Sequence, residues 1–336
     1  MTTAGASNNQ NDSDASTSAV PPPQIYLSRD ALIHVFETVC KYSPLANVLD
    51  LRLVNRLANE TVNRATIRKM SELKIEIGEP IRFKIVGLKM KELPEPEPVI
   101  YIQNLRFKHT DAPVFLHYLL SHMDKLSSLT VHIQSIEAND LTILEGLLDQ
   151  ILDSNRVKLS DLQIRRRKGG QRISRFVELV RKNASSLKTI KGLGITEAAE
   201  SFSEKISLSR LSLMTHDVGL ASEDTIYDNL IEISSSGARF SHLSYTSFIG
   251  LDPTDDIVQA FLEKCEVSSL RMTMLRGPLV PHDANFIFGK VRGIKSLQLG
   301  EVVEKPNIYN RLIVYEPLFK KVFPYVDEIN FFQQWN

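Results

Sequence analysis

The sequence predicts an α/β repeat protein, a solenoid of strand–helix units preceded by a small all-α module. Three observations point there. Short apolar–polar–apolar segments recur about every 28 residues. Amphipathic helical runs fill the spaces between them, and an abrupt change of composition near residue 25 separates a polar tail from these patterns.

The chain has 336 residues, 43% hydrophobic and 24% charged. That exceeds one typical domain of about 100–200 residues and suits a protein with a large buried core. Lys+Arg and Asp+Glu are 40 each, so net charge directs the chain neither to nucleic acid nor to an anionic membrane. The two cysteines, Cys40 and Cys265, lie far apart within apolar helical patterns. They read as buried free thiols in a reducing compartment, not as a disulfide framework. No apolar signal core occupies the first 18 residues, and no run approaches the roughly 18 apolar residues of a membrane span. The expected location is cytoplasmic or nuclear, with no membrane partner.

Residues 1–24 are dominated by Ser, Thr, Asn, Asp and Gln and end in three prolines. They lack the apolar surface needed to offset the entropy of ordering, which predicts a disordered tail. Residues 25–68 read as a helical module. Ser28 can cap a helix with Leu32, Val35, Phe36 and Val39 at helical spacing. Pro44 breaks that helix, and a second run follows with Val48, Leu51, Val54, Ala58 and Val62 on one face. About 40 residues are too few for a stable core without a partner surface.

Residues 69–336 alternate strands and helices. Near the start, proline at every second position from 94 to 98 predicts a surface loop. The strand triplets are Leu105-Arg106-Phe107, Leu129-Thr130-Val131, Leu162-Gln163-Ile164, Ile190-Lys191-Gly192 and Leu211-Ser212-Leu213. They continue with Leu243-Ser244-Tyr245, Leu270-Arg271-Met272, Leu297-Gln298-Leu299 and Ile329-Asn330-Phe331. A two-residue period places the outer side chains on one face and the middle one on the other. Their starts are about 21 to 33 residues apart. Apolar residues at helical spacing lie between them, such as Leu141, Leu144, Leu147, Leu148 and Ile151, or Ile257, Val258, Phe261 and Leu262. A doubly wound α/β domain also alternates these elements. Its strands, buried on both faces, would read as unbroken apolar runs without the polar middle residue.

Most triplets carry a further apolar residue three positions earlier: Leu126, Leu159, Leu187, Leu208, Phe240, Val267 and Ile294. The resulting Leu-x-x-Leu-x-Leu-like pattern resembles leucine-rich repeats. Where regular repeats place Asn or Cys, this chain has Gln134, Arg167, His216, Phe248, Leu275 and Val302. No asparagine ladder is expected there, and the repeats are irregular.

In the helical module, Leu27-Ser28-Arg29-Asp30-Ala31-Leu32-Ile33-His34-Val35-Phe36 precedes Leu51-Arg52-Leu53-Val54-Asn55-Arg56-Leu57-Ala58-Asn59-Glu60-Thr61-Val62. These segments resemble an F-box, with Ser28 in place of the usual proline and Ala58 where an aromatic residue is common. An F-box ahead of leucine-rich repeats resembles the substrate-recognition subunits of SCF-type cullin–RING ubiquitin ligases. The resemblance implies docking to a Skp-type adaptor and the cullin ligase core through Leu27, Leu32, Val35, Phe36, Leu45, Leu53 and Val54. The alternative is a stand-alone leucine-rich-repeat interaction scaffold without a ligase.

In a solenoid the polar middle residues line the concave face that holds the target. Those residues are Arg106, Thr130, Gln163, Lys191, Ser212, Ser244, Arg271, Gln298 and Asn330. None is acidic and three are basic, which predicts an acidic or phosphorylated protein target. The run from Arg165 through Arg166, Arg167 and Lys168 to Arg172 reads as a solvated basic loop, with an import signal, an RNA or DNA contact or an anion site as the alternatives. No interleaved aromatic residues support base stacking, so nucleic acid is not the expected partner. Phosphate-binding loops, nucleophile elbows and HExxH motifs are absent from the sequence, and the eight histidines show no ligand spacing. The expectation is a binding protein without catalytic residues, metal or cofactor.

Overall fold

A computed structural model describes residues 28–42, 61, 67–68, 70–78, 81–87, 101–108, 110–134, 138–166, 172–215, 223–246, 255–275, 293–302 and 325–331. The polar tail, the proline-rich segment and Leu27, Leu45, Leu53 and Val54 lie outside the described residues. The chain divides into two compact units, Met1–Val62 and Asn63–Asn336.

In the first unit, α1 (Arg29–Tyr42) begins where the sequence places a cap. The Ala31 amide donates to Ser28 Oγ at 3.2 Å, satisfying one of the unpaired N–H groups of the first turn. Asp30 adds a negative charge at the positive end of the helix dipole. Phe36 is buried, Leu32 is half-buried, and Val35 is 45% exposed.

The second unit is α/β, with a mostly parallel sheet. Its strands are β1 (Met70–Ile77), β2 (Ile81–Gly87), β3 (Tyr101–Phe107), β4 (Leu126–Ile133), β5 (Val157–Arg166) and β6 (Thr189–Gly194). They continue with β7 (Ser207–Met214), β8 (Arg239–Thr246), β9 (Ser269–Leu275), β10 (Ser296–Val302) and β11 (Glu328–Phe331). The helices are α2 (Ala112–His122), α3 (Ala138–Asp153), α4 (Ser174–Asn183), α5 (Ile195–Ser201), α6 (Glu223–Ser235) and α7 (Asp256–Lys264). From β5 to β11 every strand lies parallel beside its predecessor in the chain, β1 joins β4 in parallel, and β2 and β3 extend the sheet antiparallel. One helix separates each successive pair from β3 to β9, and each helix packs on the next. None of the helices in the described residues is long and apolar enough to cross a membrane.

Strand parity explains the layering. Leu129, Val131, Leu162, Ile164, Ile190, Leu211, Leu213, Leu243, Tyr245, Leu270, Met272 and Leu297 are all at most 2% exposed. They share one core with Leu144, Leu147, Leu148, Phe176, Leu179, Leu230, Phe261 and Leu262 from the helices. Each such burial is worth roughly 1.5–3 kcal/mol, an upper estimate against an extended chain. The apolar residues three positions ahead of the triplets, from Leu126 to Ile294, are also buried.

Two expectations require correction. Leu105-Arg106-Phe107 is not the first of the parallel triplets. It belongs to β3, where Arg106 stands opposite Arg82 of the antiparallel β2. The parallel series instead begins with Leu73-Lys74-Ile75 of β1, in register with Leu129-Thr130-Val131. The second correction concerns Ile190-Lys191-Gly192. The β6–β7 register shifts between Lys191 and Leu193, so Leu193, not Gly192, stands beside Leu213 and points into the core. Gly192 is the extra residue of a bulge, with φ of 76°. A Cβ there would lie 2.0 Å from the Ile164 carbonyl oxygen, so only glycine fits.

In place of an asparagine ladder, a serine ladder ties the strand entrances together. Ser127 Oγ donates to the Ser71 carbonyl (3.3 Å) and Ser160 Oγ to the Ser127 carbonyl (3.2 Å). Ser209 Oγ donates to the Lys188 carbonyl (3.0 Å) and Ser268 Oγ to the Ser241 carbonyl (2.8 Å). Each serine sits two residues ahead of the first apolar residue of its triplet. Asn183 performs a related task at the end of α4: it accepts from the Leu159 amide at 2.8 Å and donates to the Leu179 carbonyl at 2.9 Å.

The basic run also differs from the expected solvated loop. Arg165 is exposed, but the Arg166 side chain is fully buried, with Nη2 2.7 Å from Glu197 Oε1 and its guanidinium 5.1 Å from the centre of the Phe176 ring. Arg172 pairs with Glu200. Arg167 to Gln171 lie outside the described residues.

Candidate functional site

Because alternate residues of a strand share a face, the polar middle residues project away from the core. Strand pairing then aligns them into one row: Lys74, Thr130, Gln163, Lys191, Ser212, Ser244, Arg271, Gln298 and Asn330 stand side by side from β1 through β4 to β11. Eight of the nine residues expected in such a row are therefore brought together, and Arg106 is not.

The residue two positions earlier in each strand points the same way. These residues form a second row: Glu72, Ser128, Asp161, Thr189, Arg210, His242, Ser269, Ser296 and Glu328. Its acids lie toward the ends, and Arg210 and His242 lie at its middle. The two rows together make a polar face whose centre is basic.

At that centre the face sinks into a depression of about 490 Å³. Its lining includes Gln163, Lys191, Gly192, Arg210, Ser212, Met214, His242, Ser244, Arg271 and Gln298, and among the described residues no Asp or Glu contributes to it. Small side chains form the floor, since Ser212 and Ser244 separate Lys191 from Arg271 along the first row. Burial pushes the His242 imidazole below its ordinary pKa, and the neighbouring Arg210 and Arg271 charges lower it further. The ring is therefore neutral near neutral pH, with Nδ1 2.9 Å from Ser269 Oγ. The depression can accept an anion through charge-assisted hydrogen bonds.

Arg210, His242, Met214 and Gly192 were not among the expected site residues. For Arg210 and His242 the signal was available, because they share the parity of the middle residues. Gly192 enters the site through its bulge, which no local pattern specifies. A second depression, of about 470 Å³, lies at the ends of α2 and α3 and is lined by His117, Gln150, Asp153 and Arg156 among others. Its Arg156 donates to the Met123 carbonyl.

Among the described residues, no group of three or more His, Cys, Asp or Glu is placed to hold a metal ion. No protein-family model matches the chain, and no curated protein matches it.

Proposed function

We propose that the chain is a recognition scaffold: an irregular leucine-rich-repeat solenoid whose polar sheet face holds a protein target. In this reading it is the substrate-recognition subunit of an SCF-type ubiquitin ligase, with the N-terminal F-box-like module docked to a Skp-type adaptor. The observation that carries the scaffold reading is the in-register polar row across β1 and β4 to β11. It is an open surface repeated strand by strand, with the core on its other side. Such a surface suits a contact spread over many residues more than the enclosure of a small substrate.

Support for the docking half comes from α1, which starts at the Ser28 cap and leaves Val35 exposed on an amphipathic helix. An exposed valine flanked by Leu32 and Phe36 suits a partner surface completing a small apolar core. The complex then works by proximity: the target is held at high effective concentration near the ligase's catalytic subunits.

Co-purification of the full chain with a Skp-type adaptor tests the ligase half. Wild type is expected to retain adaptor, and Val35→Asp to lose it without change in far-UV circular dichroism, because Val35 is already solvent-exposed. Equally poor retention by wild type and variant leaves the stand-alone scaffold as the reading.

A further inference from the structure

We propose that the depression over Ser212 and Ser244 is a phosphate-binding subsite that takes a phosphorylated side chain of the protein target. This rests on the reading of the sheet face as the target-binding surface and names what the centre of that face selects.

The geometry is that of a cradle. Lys191, Ser212, Ser244 and Arg271 occupy consecutive strands β6 to β9 in one register row. Three strand steps of about 4.8 Å separate the backbones of Lys191 and Arg271 by about 14 Å. Long cationic side chains at both ends can close on a group seated between them. Arg210 and His242, two residues ahead of Ser212 and Ser244, flank the same floor from the adjoining row. The two serines supply hydroxyl donors and leave the volume for the ligand.

The donor set favours phosphoryl over carboxylate. A carboxylate carries one charge on two oxygens, whereas a phosphomonoester carries about −1.5 to −2 on three. Lys191, Arg210 and Arg271 offer three permanent charges, and the imidazole and two hydroxyls add further donors. No carboxylate lines the floor among the described residues. Asp161, the nearest acid along the second row in sequence order, is separated from Arg210 by Thr189 and accepts a hydrogen bond from Ser160 Oγ at 2.8 Å. An entering anion would also offset the Arg210 and Arg271 charges that oppose protonation of His242.

The test uses the full chain against immobilised degenerate peptide libraries with a fixed central phosphoserine, serine or glutamate. The phosphoserine library should be retained about tenfold or more over the other two, and Arg271→Gln and Lys191→Gln should each remove that preference. Both side chains lie at least partly in solvent, so the variants keep the fold. Inorganic phosphate should compete weakly, and inositol hexakisphosphate should not exceed the best phosphopeptide. Tighter binding of the free polyphosphate would overturn the assignment to a protein side chain. Equal retention of all three libraries, abolished by Ser244→Trp, would overturn the phosphate subsite and leave the sheet-face reading intact. Retention of none would overturn both.

Discussion

Glu197 is a carboxylate with side-chain exposure of 2%, and its removal takes the carboxylate from a fully buried guanidinium. Its Oε1 accepts from Arg166 Nη2 at 2.7 Å and from the Ile173 amide at 3.1 Å, and its Oε2 accepts from the Gly194 amide at 2.9 Å. One side chain thus pairs the buried charge, caps the start of α5 and fixes the turn ahead of α4. Glu197→Ala leaves the charge and two amides without these partners. Breaking a buried pair costs about 3–5 kcal/mol, and each orphaned amide adds about 1–3 kcal/mol before water enters the gap. Even the low end of these terms together, about 5 kcal/mol, is a large part of a typical stability of about 5–15 kcal/mol. Urea unfolding of the full chain, followed by far-UV circular dichroism, reads this as a fall in midpoint. Glu197→Gln keeps an acceptor but removes the charge, and should lose about half as much. The double variant Arg166→Met/Glu197→Leu should recover part of the loss, since it also removes the buried charge that lost its carboxylate but not the orphaned amides. A Glu197→Ala loss below about 1 kcal/mol would refute the claim that this pair holds β5, α4 and α5 together.

Three further outcomes are expected. Gly192→Ala should destabilise the chain by about 2 kcal/mol or more, because positive φ and the clash with the Ile164 carbonyl act together; a midpoint equal to wild type would contradict the bulge. Burial pushes the Cys265 thiol up to about 12. In a Cys40→Ser background, iodoacetamide should therefore alkylate Cys265 about a thousandfold more slowly in the folded chain than in urea, and equal rates would contradict its burial. His242 has a folded pKa below its unfolded value, so the unfolded chain takes up the proton first as pH falls. Stability contributed by the neutral ring is complete above the ordinary histidine pKa and declines below it. Wild type should lose more stability than His242→Gln between about pH 7 and about pH 5, and parallel losses would contradict the shift.

The strands and helices of the second unit were legible because their signals are local. Leu162-Gln163-Ile164 shows which side chains face the core through parity alone, and the spacing of Leu144, Leu147, Leu148 and Ile151 marks the buried face of α3. Ser28 announces the start of α1 by the same kind of short-range chemistry. The polar row followed from these patterns once the strands were taken in chain order.

Other features depend on which strands pair and in what register, which is settled by contacts between residues far apart in sequence. Nothing within Leu105-Arg106-Phe107 distinguishes an antiparallel edge strand from a parallel one, and Leu73-Lys74-Ile75 of β1 has the same form yet heads the parallel series. The bulge at Gly192 exists because the Ile164 carbonyl and Leu213 meet β6 from different strands. Arg166 read as one charge in a basic run until Glu197, on another element, drew it into the core. Arg210 and His242 are 32 residues apart in sequence yet occupy neighbouring positions on one face. Local periodicity encodes the outward direction of a side chain. Its neighbours across the sheet are set by the summed burial and hydrogen bonding of whole strands, and the basic centre of the candidate site arises there.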